Sequence, residues 1–190
     1  KKLKDKFNAK VIGYIGDAKR IPHIDIALED QATWIANNFE AKIMHIPGHT
    51  LGHICFYFYK DQNLFTGDTL FSLGCGKIFE GTYDQMFSSI KKIKELPHNT
   101  KIYCGHEYTK KNSDFCISLD SKNKKLISRI KEINLKISKN LPTIPSTLKD
   151  EIECNIFLRC EDMSIKSSLN MKNSKPLEIF TKLRDLKDNF

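Results

Sequence analysis

The chain has 190 residues, 40% of them hydrophobic and 28% charged, with 31 basic against 23 acidic residues and a formal charge of +8. That length holds one core, or a core with a small appended domain, and no apolar run, the longest being Ile54 to Tyr59, approaches the roughly 20 residues that cross a bilayer. The six cysteines, at 55, 75, 104, 116, 154 and 160, include no Cys-x-x-Cys pair, which favours buried, reduced thiols over a disulfide framework or a cysteine zinc site. A basic surface can serve nucleic acid, an anionic membrane or an anionic small substrate. The lysines at 122, 124, 125, 131, 136 and 139 scatter around one helix, the pattern of a solvated face.

In chain order, residues 1 to 8 read as the end of a polar helix and Ala9 to Ile15 as a strand closed by Gly16 and Asp17. Arg20 to Asp25 reads as a loop with His23 as a surface residue. Residues 26 to 38, around Trp34, alternate too weakly to assign, whereas Phe39 to Ile46 alternates as a strand. Ile54 to Tyr59 and Asn63 to Thr66, separated by Lys60-Asp61-Gln62, form a hairpin. Gly74, Gly76 and Gly81 mark a flexible loop of close approach, and Thr82 is an N-cap for an amphipathic helix with Met86, Phe87, Ile90 and Ile93 on one side. Pro97 to Thr100 is a turn carrying an exposed His98, and Lys101 to Cys104 is a strand. Beyond Lys111 the pattern becomes helical. Leu126, Ile130, Ile133 and Ile137 form an apolar stripe, Pro142 and Pro145 end it, and Ser146 or Thr147 caps a short helix. Ser174 with Pro176 opens the last helix, in which Leu177, Phe180 and Leu183 face inward while Arg184 and Lys187 share another side.

One pattern recurs. An apolar, strand-like run ends at a glycine and the next residue is a metal-ligand type: His49 after Gly48, Asp68 after Gly67, His106 after Gly105. Glycine lets the backbone turn tightly at a strand end, so that the following side chain can point into a cleft at the sheet edge. His45, His49 and His53 have the spacing of a helical stripe, but Pro47, Gly48 and Gly52 interrupt such a helix. Any site is therefore assembled from separate loops. A lone histidine is more often structural than a ligand; three glycine-ligand turns in succession change that weighting. Two imidazoles and a carboxylate suit zinc, iron or manganese, and a carboxylate between two metals can bridge them. Cys75 has no basic neighbour in sequence to activate it, and its glycine context fits a loop passing close to a substrate.

The runs Pro47-Gly48-His49-Thr50-Leu51-Gly52-His53, Phe65-Thr66-Gly67-Asp68-Thr69-Leu70-Phe71, Gly74-Cys75-Gly76-Lys77-Ile78-Phe79-Glu80-Gly81-Thr82 and Tyr103-Cys104-Gly105-His106-Glu107-Tyr108-Thr109 together resemble glyoxalase II, the hydroxyacylglutathione hydrolases of the metallo-β-lactamase superfamily. The His, Asp, His order indicates the superfamily alone; the third and fourth runs are narrower. The likeness continues through Leu141 to Leu148, Asn155 to Arg159 and Leu183 to Phe190, and so covers nearly the whole chain.

The resemblance implies an α/β fold, the metallo-β-lactamase αβ/βα sandwich, N-terminally incomplete, with residues 1–112 as a partial core and residues 113–190 as a helical substrate-binding domain. It implies two divalent metals, zinc first with iron or manganese as alternatives, His49 on one, His106 on the other and Asp68 bridging as the catalytic carboxylate. His53 matches a motif position but not a ligand. The implied substrate is a glutathione thioester such as S-lactoylglutathione, hydrolysed by a metal-activated water to a hydroxy acid and glutathione in methylglyoxal detoxification. Lys77, Phe79, Tyr108, Arg184 and Lys187 match substrate-binding positions, although the spacing of the last two equally suits a solvated helix face. Phe79 stands where the family commonly has Tyr, which removes one hydroxyl hydrogen bond worth about 0.5–1.5 kcal/mol. The implied setting is a cytoplasmic monomer, or a mitochondrial one in a eukaryote, with neither a nucleic-acid nor a membrane partner.

One departure accompanies the likeness. The family's first metal motif, His-x-His-x-Asp-His, which supplies most of its ligands, is absent, and its position would fall upstream of Lys1. The expectation is a chain without its N-terminal segment, from a partial sequence or a broken gene. The alternatives are a catalytically inactive remnant or partner-binding protein of the same fold, or a relative resembling persulfide dioxygenases. A nucleic-acid enzyme of the superfamily is disfavoured because no aromatic-interleaved basic patch is present.

Overall fold

The computed structural model describes residues 1–190. A short helix α1 (Lys2–Phe7) leads to β1 (Ile12–Tyr14) and a 3-10 turn, and β2 (Ile26–Leu28) pairs parallel with β1. Next come β3 (Thr33–Ala36), β4 (Phe39–His45), β5 (Ile54–Phe58), β6 (Asn63–Gly67), a small hairpin of β7 (Leu70–Phe71) and β8 (Gly74–Cys75), α2 (Tyr83–Lys94) and β9 (Lys101–Cys104). The remainder holds α3 (Thr109–Leu119), α4 (Lys124–Ser138), β10 (Ser146–Thr147), α5 (Leu148–Cys154), a second 3-10 turn (Ile156–Leu158), α6 (Met163–Ser168) and α7 (Pro176–Asp188).

The central sheet has the order β10-β9-β6-β5-β4-β3. Its neighbours are antiparallel except β6 and β9, which run parallel. A parallel pair needs a crossover, and α2 lies in that connection. Because β4 and β6 are both antiparallel to β5, the chain leaves β4, β6 and β9 at the same edge of the sheet. His49, Asp68 and His106 follow those three strands.

Side-chain alternation gives the sheet two unlike faces. Met44, Cys55, Tyr57, Leu64 and Ile102 point to one face and join Met86, Ile90 and Ile93 of α2, together with Phe157, Phe180 and Leu183, in a single buried cluster. On the other face Trp34 meets Phe56 and Phe58 edge-on and Phe65 stacks on Tyr103 at 5.0 Å. Phe65 remains 45% exposed there. Thr82 caps α2 through a capping box with Gln85, and Thr147 caps α5 through one with Asp150, each at a position read from sequence.

Several elements differ from the sequence reading. Residues 26–38 contain β2 and β3, strands of three and four residues that are too short to register as a period. The strand expected over Ala9 to Ile15 shrinks to Ile12–Tyr14. Gly74 to Gly76, expected to be flexible, are buried beneath the helical region. On α4 Leu126 and Ile133 are buried but Ile137, in the last turn, is 42% exposed, and the inward stripe takes in Arg129 instead. In α7 Ile179 rather than Leu177 is buried beside Phe180 and Leu183, and Lys175 rather than Ser174 occupies the N-cap. The boundary expected after residue 112 falls inside α3, and residues on both sides of it share the one core.

Candidate functional site

The three glycine-ligand turns meet. Asp68 lies between two imidazoles, with His49 Nε2 3.6 Å from Oδ2 and His106 Nε2 3.4 Å from Oδ1. Each ring thus faces its own carboxylate oxygen. Asp68 Oδ1 is buried without a hydrogen-bond partner, a state that costs about 1–3 kcal/mol or more for an anionic oxygen and is relieved by a cation. The donors therefore fit divalent metal, one position on each side of Asp68. No three His, Cys, Asp or Glu side chains gather into a group that could hold an ion alone. These residues give each position one imidazole and one shared carboxylate oxygen, short of the usual coordination number, so further donors must complete it.

Local sequence explains how the site is held. Gly67 adopts φ +51°, and a Cβ there would lie 2.4 Å from His53 Nε2; a Cβ at Gly105 would lie 2.5 Å from Asp68 Oδ1. His53 Nε2 lies between Asp68 N–H at 3.1 Å and the Thr66 carbonyl at 3.3 Å; the shorter contact, from a fixed backbone donor, is satisfied when that nitrogen is bare. Burial pushes the His53 pKa down, which favours the neutral ring. His49 Nδ1 lies 2.7 Å from the Lys77 carbonyl oxygen; the nitrogen facing a carbonyl must carry the proton, which leaves Nε2 free to bind metal. Leu51 N–H donates to Glu80 Oε2 at 2.9 Å, and Glu80 is clasped by both terminal nitrogens of Arg20. The hydrogen bond from Arg20 draws the Glu80 carboxyl down to about 2. His106 is fixed differently, with its ring stacked on Tyr108 at 4.9 Å and 16°. The adjoining Glu107 accepts from Thr143 N–H at 3.0 Å and from its hydroxyl, which ties the His106 loop to the segment before β10.

Of the expected substrate positions, Lys77, Phe79 and Tyr108 lie exposed around this centre, Phe79 against His49 at 5.0 Å and Tyr108 against His106. Arg184 does not lie on an open rim or on a solvated helix face. It is 4% exposed, its Nη1 donates to the Cys75 carbonyl at 2.8 Å, its Nη2 donates to Asp188 at 3.0 Å, and it covers the Phe157 ring at 5.3 Å. Lys187 is half-buried, donates to the Lys111 carbonyl at 3.2 Å and sits over Phe115 and Phe190; burial lowers its pKa. Cys75 does have a cationic neighbour, Arg184 Nη1 at 3.5 Å, brought from a remote part of the chain. Its thiol is nonetheless buried and pushed up, the behaviour of an inert cysteine. All six cysteines are free. The supports Arg20, Glu80 and Glu107 were not singled out from sequence. Glu80 and Glu107 follow closely on a glycine-lysine and a glycine-ligand turn, Arg20 follows none, and hydrogen bonding to a distant partner leaves no periodic trace.

Comparison with known proteins gives the same assignment for both halves of the chain. The family model for the metallo-beta-lactamase superfamily matches residues 2–106, and that for the hydroxyacylglutathione hydrolase C-terminus matches residues 107–190. The hydroxyacylglutathione hydrolase of Pelagibacter ubique is 63% identical over 190 residues, which is 100% of this chain and 74% of that protein. That of Chelativorans sp. is 44% identical over 188 residues, 99% of this chain and 74% of the relative. Among solved structures, ETHE1 from Myxococcus xanthus matches with a TM-score of 0.59 over 97% of this chain and 67% of its own, at 17% identity. The B3 metallo-beta-lactamase BLEG-1 matches with a TM-score of 0.57 over 83% of this chain and 68% of its own, at 20% identity. At those identities the likeness is one of fold. With two family models that together span it and relatives matching its full length, the chain belongs to the hydroxyacylglutathione hydrolases, metal-binding members of the metallo-β-lactamase superfamily.

Proposed function

We propose that this chain contributes to the hydrolysis of S-(2-hydroxyacyl)glutathione thioesters, such as S-lactoylglutathione, to a hydroxy acid and free glutathione. The observation that carries this reading is the Asp68 carboxylate, held between His49 and His106 with a buried, unpartnered oxygen. Zinc is our choice among the divalent metals, since imidazole and carboxylate together suit it. Divalent metals bound here would lower the pKa of water toward neutrality and polarise an acyl oxygen. The chain's own residues do the rest. Lys77 O keeps the His49 proton on Nδ1, and His53 holds the Asp68 backbone, so that the His49 imidazole and the carboxylate stay aimed at one another.

Phe79 and Tyr108 set aromatic rings on the His49 and His106 sides, against which the acyl group would lie. Glutathione carries two carboxylates, which the exposed Lys77 ammonium can pair, with Lys187 the second cation that the family resemblance offers. Arg184 serves substrate binding from beneath, by fixing the loop that bears Lys77. No helix is long and apolar enough to cross a membrane. The six free thiols suit a reducing compartment, and we place the reaction in the cytoplasm.

The test is metal content together with S-lactoylglutathione hydrolysis, measured on this chain and on a longer form carrying a His-x-His-x-Asp-His segment at its N-terminus. The longer form should hold about two metals and turn over, and Asp68→Asn should remove both properties. If the longer form binds two metals yet leaves the thioester intact, the substrate assignment falls. If Asp68→Asn keeps its metal, the bridging role falls.

A further inference from the structure

The β7–β8 hairpin is held by side chains of the helical region, one backbone group after another. Asn155 Nδ2 donates to the Gly74 carbonyl at 3.1 Å and the Phe71 carbonyl at 3.4 Å. Glu151 Oε2 accepts from Leu73 N–H at 2.8 Å and from Asn155 Nδ2 at 3.0 Å. Asn112 donates to the Ser72 carbonyl at 3.0 Å, and Cys116 Sγ to the Leu73 carbonyl at 3.2 Å. Arg184 takes the Cys75 carbonyl. Glu151 and Asn155 are both fully buried. Leu73 has φ +59°, a left-handed conformation that a leucine adopts only when its surroundings hold it there.

This hairpin is also the chain between two parts of the metal centre. It leaves from Asp68 and returns through Gly76 to Lys77, whose carbonyl orients His49. Gly76 N–H donates to the Thr69 carbonyl at 3.1 Å, and a Cβ at Gly76 would fall 1.9 Å from Asp68 O and 3.4 Å from His49 Nδ1. The hairpin therefore packs directly on both ligands.

We propose that Asn155, seated by Glu151, is a positioning residue for the metal centre: through the hairpin it sets the Asp68 backbone and the Lys77 carbonyl that fixes the His49 tautomer. The inference rests on the metal-centre reading above for its consequence, but the geometry it predicts exists without metal. Asn155 Oδ1 also accepts from Phe157 N–H at 3.1 Å, so the side chain has a second, purely local task. Asn155→Ser retains a capping oxygen and loses the reach to Gly74, whereas Asn155→Ala loses both.

The experiment uses the full chain and compares wild type, Asn155→Ser, Asn155→Ala, Glu151→Gln and the buried control Ile133→Ala. Ring-nitrogen NMR of His49, without metal, reports its tautomer. Competitive titration with cobalt(II), followed by its visible spectrum, reports affinity. Both Asn155 variants should show a mixed His49 tautomer and a loss of cobalt affinity of about tenfold, the low end for partners that orient a ligand. Glu151→Gln, which keeps the acceptor oxygen, should match wild type, and so should Ile133→Ala despite its lower melting temperature. Wild-type ring signals in both Asn155 variants would overturn the proposal, as would failure of both to fold, because Asn155 would then be a fold element only. If wild type bound no cobalt, the donors of this chain would need the further ones that complete each position, and the ring signals alone would decide the positioning role.

Discussion

His49 and His106 offer the same ring nitrogen to the same carboxylate, yet the protein holds them in opposite ways. The His49 side chain is 17% exposed, its far nitrogen is hydrogen-bonded to Lys77 O, and its loop is pinned through Leu51 to Glu80 and Arg20. The His106 side chain is 51% exposed and is steadied by stacking on Tyr108. One position is built in advance by hydrogen bonds; the other is free to adjust its ring. A ligand already in its bound orientation has less conformational freedom to lose when metal arrives. The His49 position should therefore be the tighter of the two.

The largest effect expected within this comparison comes from the residue that both sides share. Asp68→Asn replaces an anionic bridge with a neutral amide and should abolish metal uptake on both sides, measured as metal retained after dialysis. Retention of one equivalent would mean that one histidine recruits donors independently of Asp68, and the symmetry of the bridge would be lost. A smaller effect should separate the two histidines. His49→Ala should weaken cobalt binding about tenfold more than His106→Ala does, on the scale that orienting partners contribute. Equal losses in a chelator competition would show that the Lys77 hydrogen bond adds nothing to affinity.

How far this was legible beforehand follows from the kind of signal each residue leaves. A glycine at the end of an apolar run is a local signature, so the turns bearing His49, Asp68 and His106 could be read directly, as could the Thr82 cap, while the α5 cap was narrowed to Ser146 or Thr147, of which Thr147 serves. Their convergence on one edge depends on β6 and β9 pairing in parallel around α2, a tertiary fact that no local window holds. The resemblance supplied it where periodicity did not. Arg184 shows the opposite limit. Its spacing from Lys187 suggested a shared cationic side, but burial against Phe157 and the Cys75 carbonyl turned it into a structural donor. The His49 supports were invisible for a related reason: Arg20 lies 60 residues from Glu80, and a carboxylate bound to a remote backbone N–H follows no period.

The smallest expected effect tests those supports through pH. Arg20, by its hydrogen bonds, draws the Glu80 carboxyl from its ordinary 4.5 down to about 2. A carboxylate whose pKa is depressed in the folded state contributes stability that is fully present above its unfolded value and is lost as pH falls through the folded one. The brace on Leu51 should thus persist through pH 3.5 and release near 2. In Arg20→Ala the midpoint should climb toward 4.5, followed by the Leu51 amide shift in NMR, while the Thr143 amide that binds Glu107 stays unmoved. Because Glu80 is open to solvent, global stability at neutral pH should hardly change. If the Leu51 midpoint stays near 2 without Arg20, the backbone N–H alone sets the carboxyl, and the hold on the His49 loop is local to residues 48–81 rather than anchored to the first part of the chain.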